Sequence, residues 1–362
     1  MDNVLLISGN ISRAINSGSL DEIYYLKNPH SDIQSQAIGH EFEILKKYLP
    51  SIKRITSINM IPTHKAVTFF GWNACDEVES LKVFKNAKVA KANRLFESVN
   101  FEKLKNFTQF RQINEPLLPF SYDLPSNLII DNEVMDHLNW YFYETHLAKT
   151  YFEDRNGVIG KEYSTKLSSF LSTGRLDVRF LYNYIKTYEA THGSNKSTYW
   201  IIFELLWREF FYWSYQKHST KFFSKNGLSG PLDFSPFKKD RDFLDLFKDD
   251  PFMLAVISEL QMSGFVSNRF RQVFASSLIN NYKLDWREGA YLFERFLIDY
   301  DVYSNYGNWQ YLAGVGHDPR GKRMFDTLKQ ISTYDKNYDY IKLWTRYQST
   351  LEIKNLLEKI YL

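Results

Sequence analysis

From Asn132 to the C-terminus, apolar residues recur at helical spacing almost without a break, and that run most restricts the fold. Segments 132–152, 176–192, 197–218, 251–262, 266–283, 287–298 and 338–360 carry apolar side chains at i, i+3, i+4 and i+7. This is the pattern of helices that each turn one face to a core. An all-α body over 132–362 is expected. The N-terminal part reads differently: VLLIS (4–8), EIYYL (22–26), KRITSI (53–58) and KAVTFF (65–70) look like strands around a helical segment, 33–49. That alternation predicts a small α/β layer with a partly parallel sheet over 1–105. Pro116, Pro119 and Pro125 break any long helix between the two parts, so 106–131 is expected to be a connector on the surface.

Composition removes several function classes. The chain has one cysteine, Cys75, which excludes internal disulfides, cysteine zinc sites and iron–sulfur clusters and fits a reducing cytoplasm. No signal peptide and no apolar run of about 18 residues are apparent. The net charge of +3 does not by itself indicate nucleic acid. Aromatic residues, at 17%, are plentiful; a ring-rich core accounts for most of them, and flat partners such as bases or a flavin would also favour them. No metal site is expected.

The densest chemistry lies between Asp285 and Arg323. Here Asp299 and Asp301 are followed by Asn305, bracketed by Trp286 and Trp309 and closed by Arg320, Lys322 and Arg323. Paired acids, tryptophans and basic residues in one window suit a buried redox or light-absorbing cofactor beside nucleic acid. Upstream, Ser164, Thr165 and Ser168 cluster where a helix should begin. They form an anion site suited to a pyrophosphate, or simple N-caps. On a helix over 197–213, Trp200, Glu204, Trp207, Arg208 and Phe211 share a face. Packing explains the rings, whereas a buried Glu or Arg needs a partner or a polar ligand. Asn268 and Arg271 fall on one side of the next candidate helix, where Arg271 is either a phosphate clamp or a salt-bridge partner.

Taken together, YSTKLSSFLSTG, STYWIIFELLWREFF, GFVSNRFRQ, LDWREGA, LIDYDVYSNYGNWQYLAGVGHDPR and YDKNYDYIKLW resemble the photolyase/cryptochrome family, in the family's order over roughly 107–346. NFTQFRQ and NWQYLAGVGHDPR are similar to its DASH branch. The resemblance implies a small Rossmann-like N-terminal α/β domain, a reduced antenna domain, followed by a large helical FAD-binding domain. It implies FAD held by Tyr151, Ser164, Thr165, Lys166, Leu167, Ser168, Asn268, Arg271 and Asp301, with Arg208 paired to Asp299. Asn305 would face flavin N5. Trp309 and Trp286 would relay electrons to the flavin.

The activity implied is that of a deoxyribodipyrimidine photo-lyase, an enzyme that splits cyclobutane pyrimidine dimers in DNA using light-excited reduced flavin. Single strands are among its expected substrates. Glu204 and Trp207 would contact the dimer, and Tyr311, Arg320 and Arg323 the DNA. The alternative is a blue-light photoreceptor of the cryptochrome type. The family's opening tract and an outer tryptophan are both missing, the region around PFKKDRDFLDLF carrying Phe and Lys. An antenna pigment in the usual mode is therefore not expected. A cytoplasmic monomer without membrane contact completes the expectation.

Overall fold

The computed structural model describes residues 3–7, 22–26, 31–61, 66–70, 84, 86–89, 93–126, 128–230, 234–317 and 323–361. Strands β1 (Asn3–Ile7), β2 (Glu22–Leu26), β3 (Lys53–Ile55), β4 (Ala66–Phe70) and β5 (Asn86–Val89) form one sheet in the order β3-β2-β1-β4-β5. All its described neighbours are parallel, where the alternation with a helix led to the expectation of a partly parallel sheet. β5 is the strand that sequence pattern missed, because NAKV has no apolar run.

Helix α1 (Asp32–Tyr48) starts at a Ser31 cap. Tyr25 Oη in β2 donates to Glu41 Oε2 at 2.8 Å and ties α1 to the sheet. On the far side of α1, Gln34 Nε2 donates to the Glu294 and Leu297 carbonyls at 2.7 and 3.3 Å. The α/β layer is thereby joined to the helical body.

That body runs through α2 (Phe107–Asn114), α3 (Asn132–Asn139), α4 (Tyr151–Asp154), α5 (Ser168–Thr173), α6 (Val178–His192), α7 (Lys196–His218), α8 (Phe243–Leu246) and α9 (Pro251–Ser263). It continues through α10 (Asn268–Asn280), α11 (Trp286–Phe296), α12 (Val302–Ala313), α13 (Thr327–Tyr334), α14 (Asp339–Trp344) and α15 (Thr350–Tyr361). Polar caps set the starts that matter for the site: Asn195 forms a capping box with Thr198 at α7, Ser267 caps α10, Asp285 caps α11 and Asp301 caps α12. Among the described residues no helix is long and apolar enough to cross a membrane.

Two cores organise the helices. One surrounds α7 and includes Phe110, Tyr141, Leu206 and Phe210, and the other lies among α9 to α12 with Phe270, Phe274, Trp286 and Trp309. Tyr300 and Tyr306 pack against both.

Three expectations need correction. The helix expected over 132–152 breaks. A wide turn of five residues follows α3 at Trp140–Glu144, Thr145 Oγ1 donates to the Trp140 carbonyl at 2.7 Å, and His146 turns left-handed at φ 53°. The hydroxyl competes for the carbonyl that the next turn would use. The helix expected over 338–360 is split into α14 and α15, with Thr345 Oγ1 donating back to Ile341 O at 2.8 Å. The proline-rich connector is not confined to the surface, because α2 completes itself before Pro116 and sinks Phe107 and Phe110 into the α7 core. Asn93 also joins that body: its side chain donates to the Leu176 carbonyl at 3.0 Å and accepts from the Val178 N–H at 2.8 Å.

Candidate functional site

The α7 face with Trp200, Glu204, Trp207, Arg208 and Phe211 lines a cavity of about 570 Å³, within the ~300–1,000 Å³ typical of ligand clefts. Tyr151, the 163–168 segment, Asn268, Arg271, Asp299, Asp301, Tyr311 and Arg323 line it too. A smaller adjoining cavity of about 80 Å³ shares Asp299 and Asp301 and adds Asn305 and Trp309. The structure therefore brings most of the residues singled out in the sequence around one space. Trp286 lies deeper, fully buried, with Nε1 donating to the Lys225 carbonyl at 3.0 Å. Arg320 falls outside the described residues.

The 163–168 segment is shaped by two non-glycine residues in the left-handed region, Ser164 at φ 61° and Lys166 at φ 54°. Each costs roughly 1–3 kcal/mol, and strain of this sort concentrates at ligand sites. The Thr165 carbonyl between them is held by His137 Nε2 at 2.8 Å. Leu167 leads into α5, and Ser168, its first residue, donates from Oγ to Asp299 Oδ2 at 2.7 Å.

Asp299 corrects one expected pairing. It is buried and receives Arg271 Nη2 on both oxygens, at 3.0 and 2.9 Å, beside the Ser168 hydroxyl. Arg208 does not reach it. Its Nη1 donates to the Asn93 carbonyl at 2.9 Å and its Nη2 to the Leu171 carbonyl at 3.4 Å. α7 aims Arg208 at the segment entering the helical body, whereas the first turn of α10 aims Arg271 at the loop between α11 and α12. Burial, reinforced by the neighbouring Arg94, pulls Arg208 down to about 10. For Arg271, the salt-bridge alternative is the one observed.

Asp301 caps α12 through Oδ1, which accepts the Ser304 N–H at 2.8 Å. Its other oxygen, Oδ2, is buried and accepts no hydrogen bond; Arg94 Nη2 stands 3.8 Å away. Burial opposes the charge of Asp301, but Arg94, Arg208 and the Ser304 contacts outweigh it, and the carboxyl lies below its ordinary range. A buried polar atom without a partner calls for an explanation, and Asp301 lines both cavities. A free acidic oxygen, the Ser164 and Thr165 hydroxyls and the Asn268 amide around one space form a donor–acceptor set suited to FAD, with its hydroxyls and phosphates.

At the other end of the α7 face, Glu204 Oε1 receives Arg155 Nη1 at 2.9 Å. Burial raises the Glu204 carboxyl and Arg155 partly offsets this. Trp207 stacks on Phe107 with ring centroids 3.6 Å apart and 8° between planes, and meets the Tyr311 ring edge-on at 5.6 Å. Arg323 Nη1 donates to Tyr311 Oη at 3.4 Å. Asn305 Nδ2 donates to the Ala290 carbonyl at 2.9 Å, which sets the amide's orientation. Arg94, Phe107 and Arg155 were missed in the sequence. Phe107 lies within the quoted NFTQFRQ motif and Arg155 one helical turn after Tyr151, whereas Arg94 left no local signal.

Behind this wall, Tyr340 Oη donates to the buried Glu259 at 2.5 Å. Burial pushes the Glu259 carboxyl up to about 7, against the pull of Tyr340, Arg271 and Lys166. The folded chain thus keeps a proton that the unfolded chain releases from about pH 4.5 upward. The stability this contributes is complete below that pH and is lost as pH rises through 7, up to about 3 kcal/mol. Urea midpoints at pH 5 and pH 8 should therefore differ less in Glu259→Gln than in the natural chain. Equal differences would show that Glu259 does not titrate in this way.

Comparison with known proteins agrees with the geometry. The model of the FAD-binding domain of DNA photolyase matches residues 200–360. Cryptochrome DASH of Danio rerio is 44% identical over 218 residues, which is 59% of this chain and 42% of that protein. Cryptochrome DASH of Vibrio parahaemolyticus is 40% identical over 269 residues, 66% of this chain and 60% of the relative. The matches thus span less than two thirds of these relatives' own length. The crystal structure of a Synechocystis cryptochrome superposes with a TM-score of 0.78 and 28% identity, covering 99% of this chain and 91% of that one. A class III photolyase from Agrobacterium tumefaciens, at 18% identity and a TM-score of 0.71, shares the fold. In its match to the FAD-binding domain, its DASH-like sequence and its architecture, the chain is similar to members of the photolyase/cryptochrome family.

Proposed function

We propose that this chain is a light-driven photolyase that splits cyclobutane pyrimidine dimers in DNA, with single strands among its substrates. The observation that carries it is one cavity wall on which a carboxylate, Glu204, and a flat ring, Trp207, stand side by side, with Tyr311 and Arg323 next to them. A damaged base pair turned out of the strand needs such a surface: rings to stack on, a carboxylate to hold the base edges, and a cation for the phosphate.

Bound flavin supplies light-driven electron donation; the protein binds, orients and tunes it. Asp301 offers its free oxygen to ligand hydroxyls. Ser164, Thr165 and the backbone through Leu167 and Ser168 receive the phosphates, and Tyr151 and Asn268 close the cavity. Asn305 presents a neutral amide to the ring, which accepts a hydrogen bond without opposing a negative charge. Trp309, beside the smaller cavity, and Trp286 behind it relay electrons inward. Glu204 is released from Arg155 when substrate arrives, so the arginine keeps the empty carboxylate paired and then becomes free for a phosphate.

The test is illumination of FAD-loaded protein with dimer-containing oligonucleotides, single- and double-stranded. Loss of dimers is expected, and it should fall about ten- to 150-fold in Glu204→Gln, the worth of a charge-assisted hydrogen bond of roughly 1.5–3 kcal/mol. Dimers left intact in both substrates would refute repair and favour the photoreceptor alternative.

A further inference from the structure

The relay just described ends at Trp286, which is fully buried. An oxidised indole there needs a donor closer to the surface, or the electron simply returns. In the segment where the outer tryptophan was sought, the ring side chains are Phe237, Phe243 and Phe247, and phenylalanine does not give an electron to an indole radical cation. The ring that meets Trp286 is Tyr306, edge-on, with centroids 6.1 Å apart and 82° between planes. Tyr306 is half-buried, and its Oη donates to Glu294 Oε2 at 3.1 Å. Tyr300 donates to the same oxygen at 3.0 Å. Trp286 and Glu294 both lie on α11, and Tyr306 and Trp309 are one turn apart on α12. One helix pair therefore carries the relay, the phenol and the carboxylate.

A phenol yields an electron readily only if its proton leaves with it, because the phenol radical cation is a strong acid. Tyr306 meets both requirements, with an oxidisable neighbour on one side and a hydrogen-bonded carboxylate on the other. We propose that Tyr306 is the terminal electron donor of this chain and that Glu294 accepts its proton. This rests on the role given above to Trp309 and Trp286, with light-excited oxidised flavin as the oxidant. One electron passes from the Tyr306 ring to the Trp286 radical cation and restores neutral indole. The Tyr306 O–H bond breaks, its proton moves to Glu294 Oε2, and a neutral tyrosyl radical faces a carboxylic acid. Burial and the nearby Glu294 hold the phenol above its ordinary range, so Tyr306 keeps its proton until the electron leaves.

The experiment is flash photolysis of the FAD-loaded chain, with transient absorption and time-resolved EPR identifying each radical by species, independently of any turnover. A tryptophanyl radical that decays into a neutral tyrosyl radical is expected, slowed in D2O and slowed again in Glu294→Gln, whose amide oxygen still accepts both phenols. In Tyr306→Phe the tyrosyl signal should be lost and the tryptophanyl radical should recombine, with FAD stoichiometry and circular dichroism unchanged. Tyr300→Phe should keep the tyrosyl signal. A tyrosyl radical that survives Tyr306→Phe, or one that disappears in Tyr300→Phe, overturns the assignment. A natural chain that forms the tryptophanyl radical and no tyrosyl overturns it too, while leaving the relay standing. Absence of any tryptophanyl radical overturns relay and donor together.

Discussion

Asp299→Ala should purify without FAD and unfold at lower denaturant, with a loss of about 3 kcal/mol. The substitution removes at once the acceptor of both Arg271–Asp299 contacts and of the Ser168 hydroxyl. Breaking a buried pair by deleting one partner costs roughly 3–5 kcal/mol, because the other charge is left behind. The lower end applies here, since a fifth of the Arg271 side chain, 21%, stays exposed, against 2% for Asp299. The same carboxylate links α5 to α10, so the cavity loses its shape as well as its charge. A double-mutant cycle separates this from the pairing expected in the sequence. Asp299 should couple to Arg271 by about 0.5–3 kcal/mol, and to Arg208 by nearly nothing, because those two share no contact. Stoichiometric flavin in Asp299→Ala, read from the absorbance ratio, would show that the cavity does not depend on this bridge.

Gly289→Ala should destabilise the chain by about 2 kcal/mol, although alanine favours a helix interior over glycine by up to about 1 kcal/mol. A Cβ at this position of α11 would lie 2.1 Å from Trp309 Cη2, with two further ring atoms within 2.7 Å. The indole has nowhere to go: Phe293 meets it edge-on at 5.2 Å and Phe274 at 6.4 Å. Either α11 and α12 separate or Trp309 moves off the smaller cavity, and both disturb the wall beside Asn305. Gly39→Ala in α1 is the contrast, since nothing lies within 4 Å of its Cβ. It should stabilise by roughly 0.5–1 kcal/mol. Thermal midpoints of the two variants, measured together, decide the matter. Two shifts upward would mean that the α11–α12 contact is looser than the structure shows.

Much of the fold was legible because it is local. Apolar spacing announced the helices, whereas the caps at Asn195, Ser267, Asp285 and Asp301, where the functional ones begin, emerged in the structure. Those starts place Asn268 and Arg271 on a first turn and Asp301 at the mouth of α12. The candidate site was legible as a set of motifs whose residues line one cavity. Which acid meets which base was not. The resemblance assigned Arg208 to Asp299, whereas Arg271 takes that place, because the partner depends on the direction in which α7 and α10 project after packing. Arg94 gave no warning at all, because it lies outside every periodic segment and acquires meaning only when its guanidinium settles 4.1 Å above the Tyr212 ring and beside Asp301.

The sequence by itself thus carried the resemblance to the photolyase/cryptochrome family, the FAD-binding motifs that come with it, and most of the helices, since motifs and apolar spacing lie along the chain itself. Only the tertiary structure decided the pairs: Arg271 with Asp299, Arg155 with Glu204, Phe107 under Trp207, and Tyr306 between Trp286 and Glu294. Helix formation is set within a turn or two. A contact across 49 or 131 residues exists only once two faces have been buried against each other.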